Sequence, residues 1–157
     1  MKNRIAIVRI TGNVNLKKEI KDTFQMLKLY NKNTCIVIPT TPSMLGMLNK
    51  IKDFITWGEI DEATFKEMLL KRGKLPAKGN FSEEYLKSQI KLSVDDFVKQ
   101  YFESKKELKD IPGLKPFFKL SPPVKGFERK GTKKPFSMGG ALGYRKDKIN
   151  ELIKRMI

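Results

Sequence analysis

Across the first sixty residues, short β-branched runs alternate with apolar stripes at helical spacing. No other feature of the chain restricts its fold as strongly. Residues 4–10 read as a strand buried on both faces, because Ile5, Ala6, Ile7, Val8 and Ile10 leave no polar side to the run. Thr11, Gly12 and Asn13 turn the chain, and Asn15 is a candidate N-cap for a helix reaching about Tyr30. Leu16, Ile20, Phe24 and Leu27 fall on one stripe of that helix. Residues 34–38 form a second strand stopped by Pro39. Thr41 then Pro42 places a cap before a proline at the first helical position. Met44, Leu45, Leu48 and Ile51 line the inner side of this second helix, and residues 54–57 form a third strand ending at Gly58. The order is β-α-β-α-β, so an α+β core is expected over residues 1–60, with a small sheet covered by helices.

From Asp61 the pattern becomes helical. Asp61, Ser82 and Ser93 each stand where a cap belongs, ahead of apolar positions such as Phe65, Met68, Leu69, Phe97, Val98 and Tyr101. Residues 61–114 are therefore expected to be a helical insertion closed by Pro112 and Gly113. Residues 115–157 are expected to return to the core as a strand over 115–120, a basic glycine-rich extended loop, and a C-terminal helix. In that helix Ile149, Leu152, Ile153 and Met156 follow the spacing i, i+3, i+4 and i+7, with Asp147 as its candidate cap.

Charge is distributed unevenly over the same segments. The chain carries 33 Lys and Arg against 17 Asp and Glu, a net +16. Residues 1–34 hold net +6 and residues 115–148 net +8, whereas residues 35–114 hold only +1. If the two ends meet in space they make one basic face, and a polyanion is the partner such a face implies. Of the cations, 27 are Lys and 6 are Arg, a balance that favours reading of phosphate and shape over base edges.

Other chemistry is poorly represented. There is no histidine, which removes the usual general base and imidazole metal sites. Cys35 is the only cysteine, so neither an internal disulfide nor a thiolate zinc cluster can form, and its place in an apolar strand points to an inert thiol. The acid pairs Asp61-Glu62, Glu83-Glu84 and Asp95-Asp96 stand at helix starts, where they complement the helix dipole. No enzyme, cofactor, metal or small-molecule substrate is indicated. No apolar run approaches the ~18–20 residues of a membrane span, and no leader is expected ahead of the first strand.

The most informative stretch runs from Lys125 to Lys146. Only 7 of the 28 residues in 121–148 are apolar, and five of the eleven glycines fall there. Such a segment cannot build a core of its own and is expected to be mobile away from a partner. Cations alternate there with glycines and single aromatics: Lys125, Phe127, Arg129, Lys130, Lys133, Lys134, Phe136, Tyr144, Arg145 and Lys146. Lysine and arginine neutralise phosphates, glycine admits close backbone approach, and an aromatic ring stacks on an unpaired base. For Phe127, Phe136 and Tyr144, anchoring to the core and stacking on a base are equally open. Lys115 and Lys119 flank the returning strand, and Lys17, Lys21 and Lys28 mark one flank of the first helix, either as a solvated edge or as further contacts. Gly126-x4-Gly131-Thr132-Lys133 imitates a nucleotide-binding loop, but Pro135 rather than a helix follows it. A DNA-binding regulator with a helix-turn-helix in 61–106 is the alternative reading; its weakness is that a recognition helix should be basic.

Several stretches carry a resemblance to a known family. They are Leu27-x-Leu29 with Asn31-x-Asn33, Leu45-Gly46-Met47-Leu48, Ile51-Lys52, Ile55-Thr56-Trp57-Gly58 and Phe118-Lys119-Leu120-Ser121-Pro122-Pro123. With Gly139-Gly140-Ala141-Leu142-Gly143-Tyr144-Arg145 and the segment from Ile149 to Met156, their order and spacing resemble the L-thirty/L-seven family of large-ribosomal-subunit proteins, in its longer archaeal branch. The resemblance implies a structural, cytoplasmic protein on ribosomal RNA of the large subunit, near 5S ribosomal RNA and beside neighbouring ribosomal proteins. The long basic N-terminal extension of eukaryotic members has no counterpart here.

Overall fold

The computed structural model describes residues 4–76 and 79–157. Seven strands and six α-helices follow in chain order: β1 (Arg4–Arg9), α1 (Lys18–Met26), β2 (Thr34–Pro39), α2 (Pro42–Ile51), β3 (Ile55–Glu59), α3 (Glu62–Arg72), β4 (Lys74–Leu75), β5 (Gly79–Asn80), α4 (Glu83–Ile90), α5 (Val94–Phe102), β6 (Phe118–Lys119), β7 (Gly143–Tyr144) and α6 (Ile149–Met156). The fold is α+β. Five strands form one sheet in the order β6-β2-β1-β3-β7, and β4 and β5 pair separately.

β1 is buried along its whole length because it is the central strand and both its faces are covered. Alternation along the strand divides its side chains between two cores. Ile5 and Ile7 point to the side of Phe24, Leu27, Leu48 and Ile51, which α1 and α2 supply. Ala6 and Val8 point to the larger core, where α3, α4, α5 and α6 bring Phe65, Met68, Leu86, Phe97, Tyr101, Leu152 and Ile153. The sheet is thus the middle of three layers. Phe65 and Tyr101 stack there with ring centroids 4.6 Å apart, and Cys35 is fully buried beside them, with desolvation pushing its thiol up to about 12.

Helix starts follow the expected chemistry at three places. The side chains of Thr41, Ser82 and Ser93 accept from the backbone N–H of Met44, Tyr85 and Asp96. Helix α1 is shorter than expected at both ends. Asn15 takes a left-handed φ of 57° and cannot open a helix, so α1 begins at Lys18. At the other end Lys28 is left-handed, Leu29 N–H returns to the Phe24 carbonyl at 2.9 Å and Lys28 N–H to that of Gln25 at 3.0 Å. That is a Schellman closure, made with lysine where glycine is usual. The returning strand is also shorter: only Phe118 and Lys119 pair with β2, opposite Cys35 and Thr34.

β3 runs through Gly58 instead of stopping there. The reason lies in the neighbouring chain. A Cβ on Gly58 would stand 2.1 Å from the Lys146 carbonyl oxygen, so the missing side chain is what lets the turn into α6 lie against the sheet. Gly58→Ala should cost about 1–3 kcal/mol, seen as a lower urea midpoint with unchanged slope. An unshifted midpoint would mean that the 145–148 turn yields freely.

Candidate nucleic-acid interface

One row of residues crosses the whole sheet: Phe118, Cys35, Val8, Thr56 and Gly143. Both short edge strands therefore attach at the same end of the sheet, where β1 finishes and β2 and β3 begin. They lie on opposite edges, four strand spacings or ~19 Å apart. The chain between them, residues 120–142, must cross that end, and there the two basic segments meet.

The crossing is ordered by specific contacts. Ser121 N–H donates to the Met156 carbonyl and Val124 N–H to that of Arg155, both at 2.9 Å, which fixes the segment under the last turn of α6. Farther on, Phe136 N–H donates to Leu142 O at 2.7 Å, Leu142 N–H to Lys134 O at 3.1 Å and Ala141 N–H to Gly131 O at 3.1 Å. Gly140 fits here because a Cβ would stand 2.1 Å from Lys134 O. Ala141 and Leu142 are buried against Ile10, with Phe127 packed on the same cluster. The basic glycine-rich loop expected here follows a packed path. The segment has too few apolar side chains for a core, but it makes backbone bonds within itself and to α6 and borrows Ile10 from the end of β1.

Arg145 is the main departure among the expected contact residues. Its side chain is 1% exposed and forms a bidentate pair with Glu128, Nη1 to Oε1 at 2.5 Å and Nη2 to Oε2 at 3.0 Å. It also donates to Thr56 Oγ1 and to the Ala141 carbonyl, both at 2.8 Å. Four of its five N–H donors are so engaged and the side chain is shut away from solvent, so Arg145 braces the crossing segment from inside instead of meeting a phosphate. Desolvation of the Glu128 carboxyl works to raise its pKa, but the hydrogen bond and charge of Arg145, with a smaller pull from Arg155, outweigh it and hold it below the usual carboxylate value.

The other arginines follow the same rule. Arg4 is buried over the Tyr101 ring and Arg9 over Phe24, while Arg72 donates to Ser121 and to the Ile157 carbonyl, and Arg155 to the Gly126 carbonyl. Among the described residues Arg129 is the one arginine that is exposed and makes no side-chain hydrogen bond or ion pair. Arginine builds the interior, and lysine faces outward.

The expected contact residues then sort by place. Lys119, Lys125, Arg129, Lys130, Lys133 and Lys134 are exposed on β6 and the crossing segment. Among the described residues none of these six has a carboxylate partner, whereas the near-neutral middle pairs its charges, as in Lys66–Asp95 at 2.6 Å and Lys71–Glu67 at 2.8 Å. Lys21 joins the same end through a hollow shared with Arg9, Asn13 and Tyr30, and Lys17 is exposed just before α1. Lys28 and Lys115 lie apart. Lys28 lines a hollow with Arg4, Glu107 and Lys109, and Lys115 N–H donates to the Lys74 carbonyl. Lys146 is exposed where the chain turns into α6.

The aromatics separate too. Phe127 is half-buried and anchors the segment to both the larger core and Ile10. Phe136 is half-buried beneath the Arg145 guanidinium, 4.7 Å from its ring centre, with Lys148 Nζ at 5.7 Å. Tyr144 stands open. Lys52, Trp57 and Lys148 surround it, and the expected set omits all three; Lys52 and Trp57 are distant in sequence and come to it only through the pairing of β3 with β7.

Comparison with known proteins bears on the whole chain. Residues 5–55, which hold β1 to the start of β3, match the family model described as ribosomal protein L30p/L7e. The chain is 49% identical to a large ribosomal subunit protein uL30 of Methanopyrus kandleri, over 93% of this chain and 99% of that protein. A uL30 of Nanoarchaeum equitans is 47% identical over 97% of each chain, and one of Methanococcus maripaludis 45% identical over 97% of this chain and 98% of its own. Identity of this order, sustained from the first strand to the last helix, means that the chain belongs to the ribosomal protein L30p/L7e family.

Proposed function

We propose that this protein is a structural, non-enzymatic constituent of the large ribosomal subunit, working in the cytoplasm on the ribosome, where it binds ribosomal RNA beside neighbouring ribosomal proteins. The observation that carries the reading is the unneutralised charge on the crossing segment. Lys125, Arg129, Lys130, Lys133 and Lys134 project from a fixed backbone, and among the described residues none of them is ion-paired with a carboxylate. Charges left unpaired by their own protein are available to phosphate, and lysine meets phosphate without reading sequence. Lys119 and Lys21 extend the surface, while Lys17, Lys28, Lys115 and Lys146 form its outlying contacts. The finer proposal is that part of this surface helps fix 5S ribosomal RNA to adjacent large-subunit RNA. The DNA-binding alternative is not supported: α3 and α5 turn their apolar stripes into the core and pair their surface charges with each other.

Two measurements test this. If about six phosphates are neutralised, affinity for large-subunit RNA should fall roughly 10²–10³-fold between about 50 and 200 mM salt, with a log–log slope near −4 to −5. A slope near zero would remove the phosphate-binding reading. For the finer proposal, 5S ribosomal RNA should compete for the protein better than an unrelated folded RNA of equal length, and equal competition would argue against it.

A further inference from the structure

Tyr144 is 47% exposed, yet its ring is held at both ends. Its backbone pairs with Trp57 in the parallel β3–β7 ladder, and its hydroxyl donates to Glu59 Oε1, a bond that pushes the phenol up to about 12. The indole of Trp57 lies beside it, ring centroids 6.3 Å apart and tilted 36°. Two hollows adjoin this ring, each of about 490 Å³. Lys52, Asp53, Trp57 and Lys133 line one; Phe136, Lys146, Asp147 and Lys148 line the other. Cations therefore flank a fixed, open aromatic face on both sides, and the hollow beside Trp57 also offers the Asp53 carboxylate, able to accept from the amino group of a base.

We propose that Tyr144 is a stacking platform for an unpaired nucleotide of the RNA, with Lys52 and Lys133 on one side and Lys146 and Lys148 on the other taking the flanking phosphates. A paired helix presents its bases edge-on and cannot use such a ring, whereas a splayed base can cover it. Phe136 is less suited, because the Arg145 guanidinium already occupies a face of its ring. This inference rests on the RNA-binding reading and assigns a different kind of RNA, unpaired rather than helical, to one edge of the surface.

Trp57 is the only tryptophan and adjoins the site, so its emission reports on occupancy. The full-length protein is titrated with a twelve-nucleotide oligoadenylate and, separately, with a twelve-base-pair RNA duplex. The single strand should quench Trp57 saturably, and the duplex should bind with little quenching. Tyr144→Leu, which keeps apolar bulk, should weaken the single strand about 5- to 100-fold and leave the duplex unchanged, since stacking on a ring is worth that much per base. Tyr144→Phe, which loses only the bond to Glu59, should retain the quenching. If Tyr144→Leu binds the single strand as well as the natural protein does, or weakens both RNAs equally, the stacking platform is overturned while RNA binding stands. If neither RNA binds at low salt, the RNA-binding reading itself has failed.

Discussion

Replacing Arg9 with methionine should destabilise the protein by about 3–5 kcal/mol, a large part of the stability of any chain this size. Arg9 is 1% exposed, yet among the described residues its charge meets no carboxylate. Its guanidinium donates to the carbonyls of Thr11, Gly12, Leu29 and Tyr30 at 2.7–3.0 Å and to Asn13 Oδ1 at 2.6 Å, and it lies 3.9 Å from the centre of the Phe24 ring. Desolvation lowers its pKa from the ordinary arginine value, but the group stays protonated and every donor is used. The turn after β1 and the turn after α1 are tied to each other through this one side chain. Methionine would fill much of the volume and leave the carbonyls without a donor, which is where the penalty arises. Lysine should rescue only part of it, because an ammonium cannot reach in several fixed directions at once. Thermal unfolding should fall by roughly 10–15 °C for methionine. A fall under ~3 °C would mean that water satisfies these carbonyls as well as the guanidinium does.

The second large effect belongs to Glu128. Glu128→Ala leaves the Arg145 guanidinium buried without its counter-charge, and breaking such a pair from one side costs about 3–5 kcal/mol. The damage should be local first. Amide exchange should quicken across residues 121–142 while β1, β2 and α5 keep their protection, since those elements hold cores that Glu128 does not touch. Acid should imitate the mutation. The folded-state pKa of Glu128 is depressed, so its contribution is complete above the unfolded value near ~4.3 and is lost as pH falls through the lower folded value. The natural protein should therefore lose stability on acidification below about pH 4 more steeply than Glu128→Gln does. Parallel pH profiles for the two proteins would remove the ion pair from the account.

These two side chains also show where reading the sequence stops. The β-branched run at 4–10 is legible because a strand buried on both faces needs an unbroken apolar row, and the caps at Thr41, Ser82 and Ser93 because short-range chemistry places them. Arg9 and Arg145 look in sequence like surface charge. What makes them internal includes, beside nearby carbonyls, a carboxylate 17 positions away, carbonyls 20 and 21 positions away and a hydroxyl 89 positions away, and no local pattern encodes that. The glycine-rich stretch is legible as basic and poor in apolar groups. Its packed path is not, because the path depends on Ile10 and on backbone partners within an irregular loop. Tyr144 is visible among the basic residues, while its neighbours Lys52 and Trp57 are assigned to it only by strand register.

The pairing of β3 with β7 joins positions nearly ninety residues apart, and α6, which follows, supplies Ile149, Leu152, Ile153 and Met156 to the larger core. This has a consequence during synthesis. β1, β2, β3 and the two helices between them come from the first sixty residues and can associate early, but the opposite face of the sheet lacks part of its cover until the C-terminus has left the ribosome making it. Contacts of such long separation form late and slowly. A nascent or truncated chain ending before residue 149 carries an open apolar face together with most of the net positive charge. Such a chain is prone to aggregation and to indiscriminate attachment to nucleic acid. The eight residues of α6 thus govern how long the polypeptide remains vulnerable before it reaches its place in the assembling subunit.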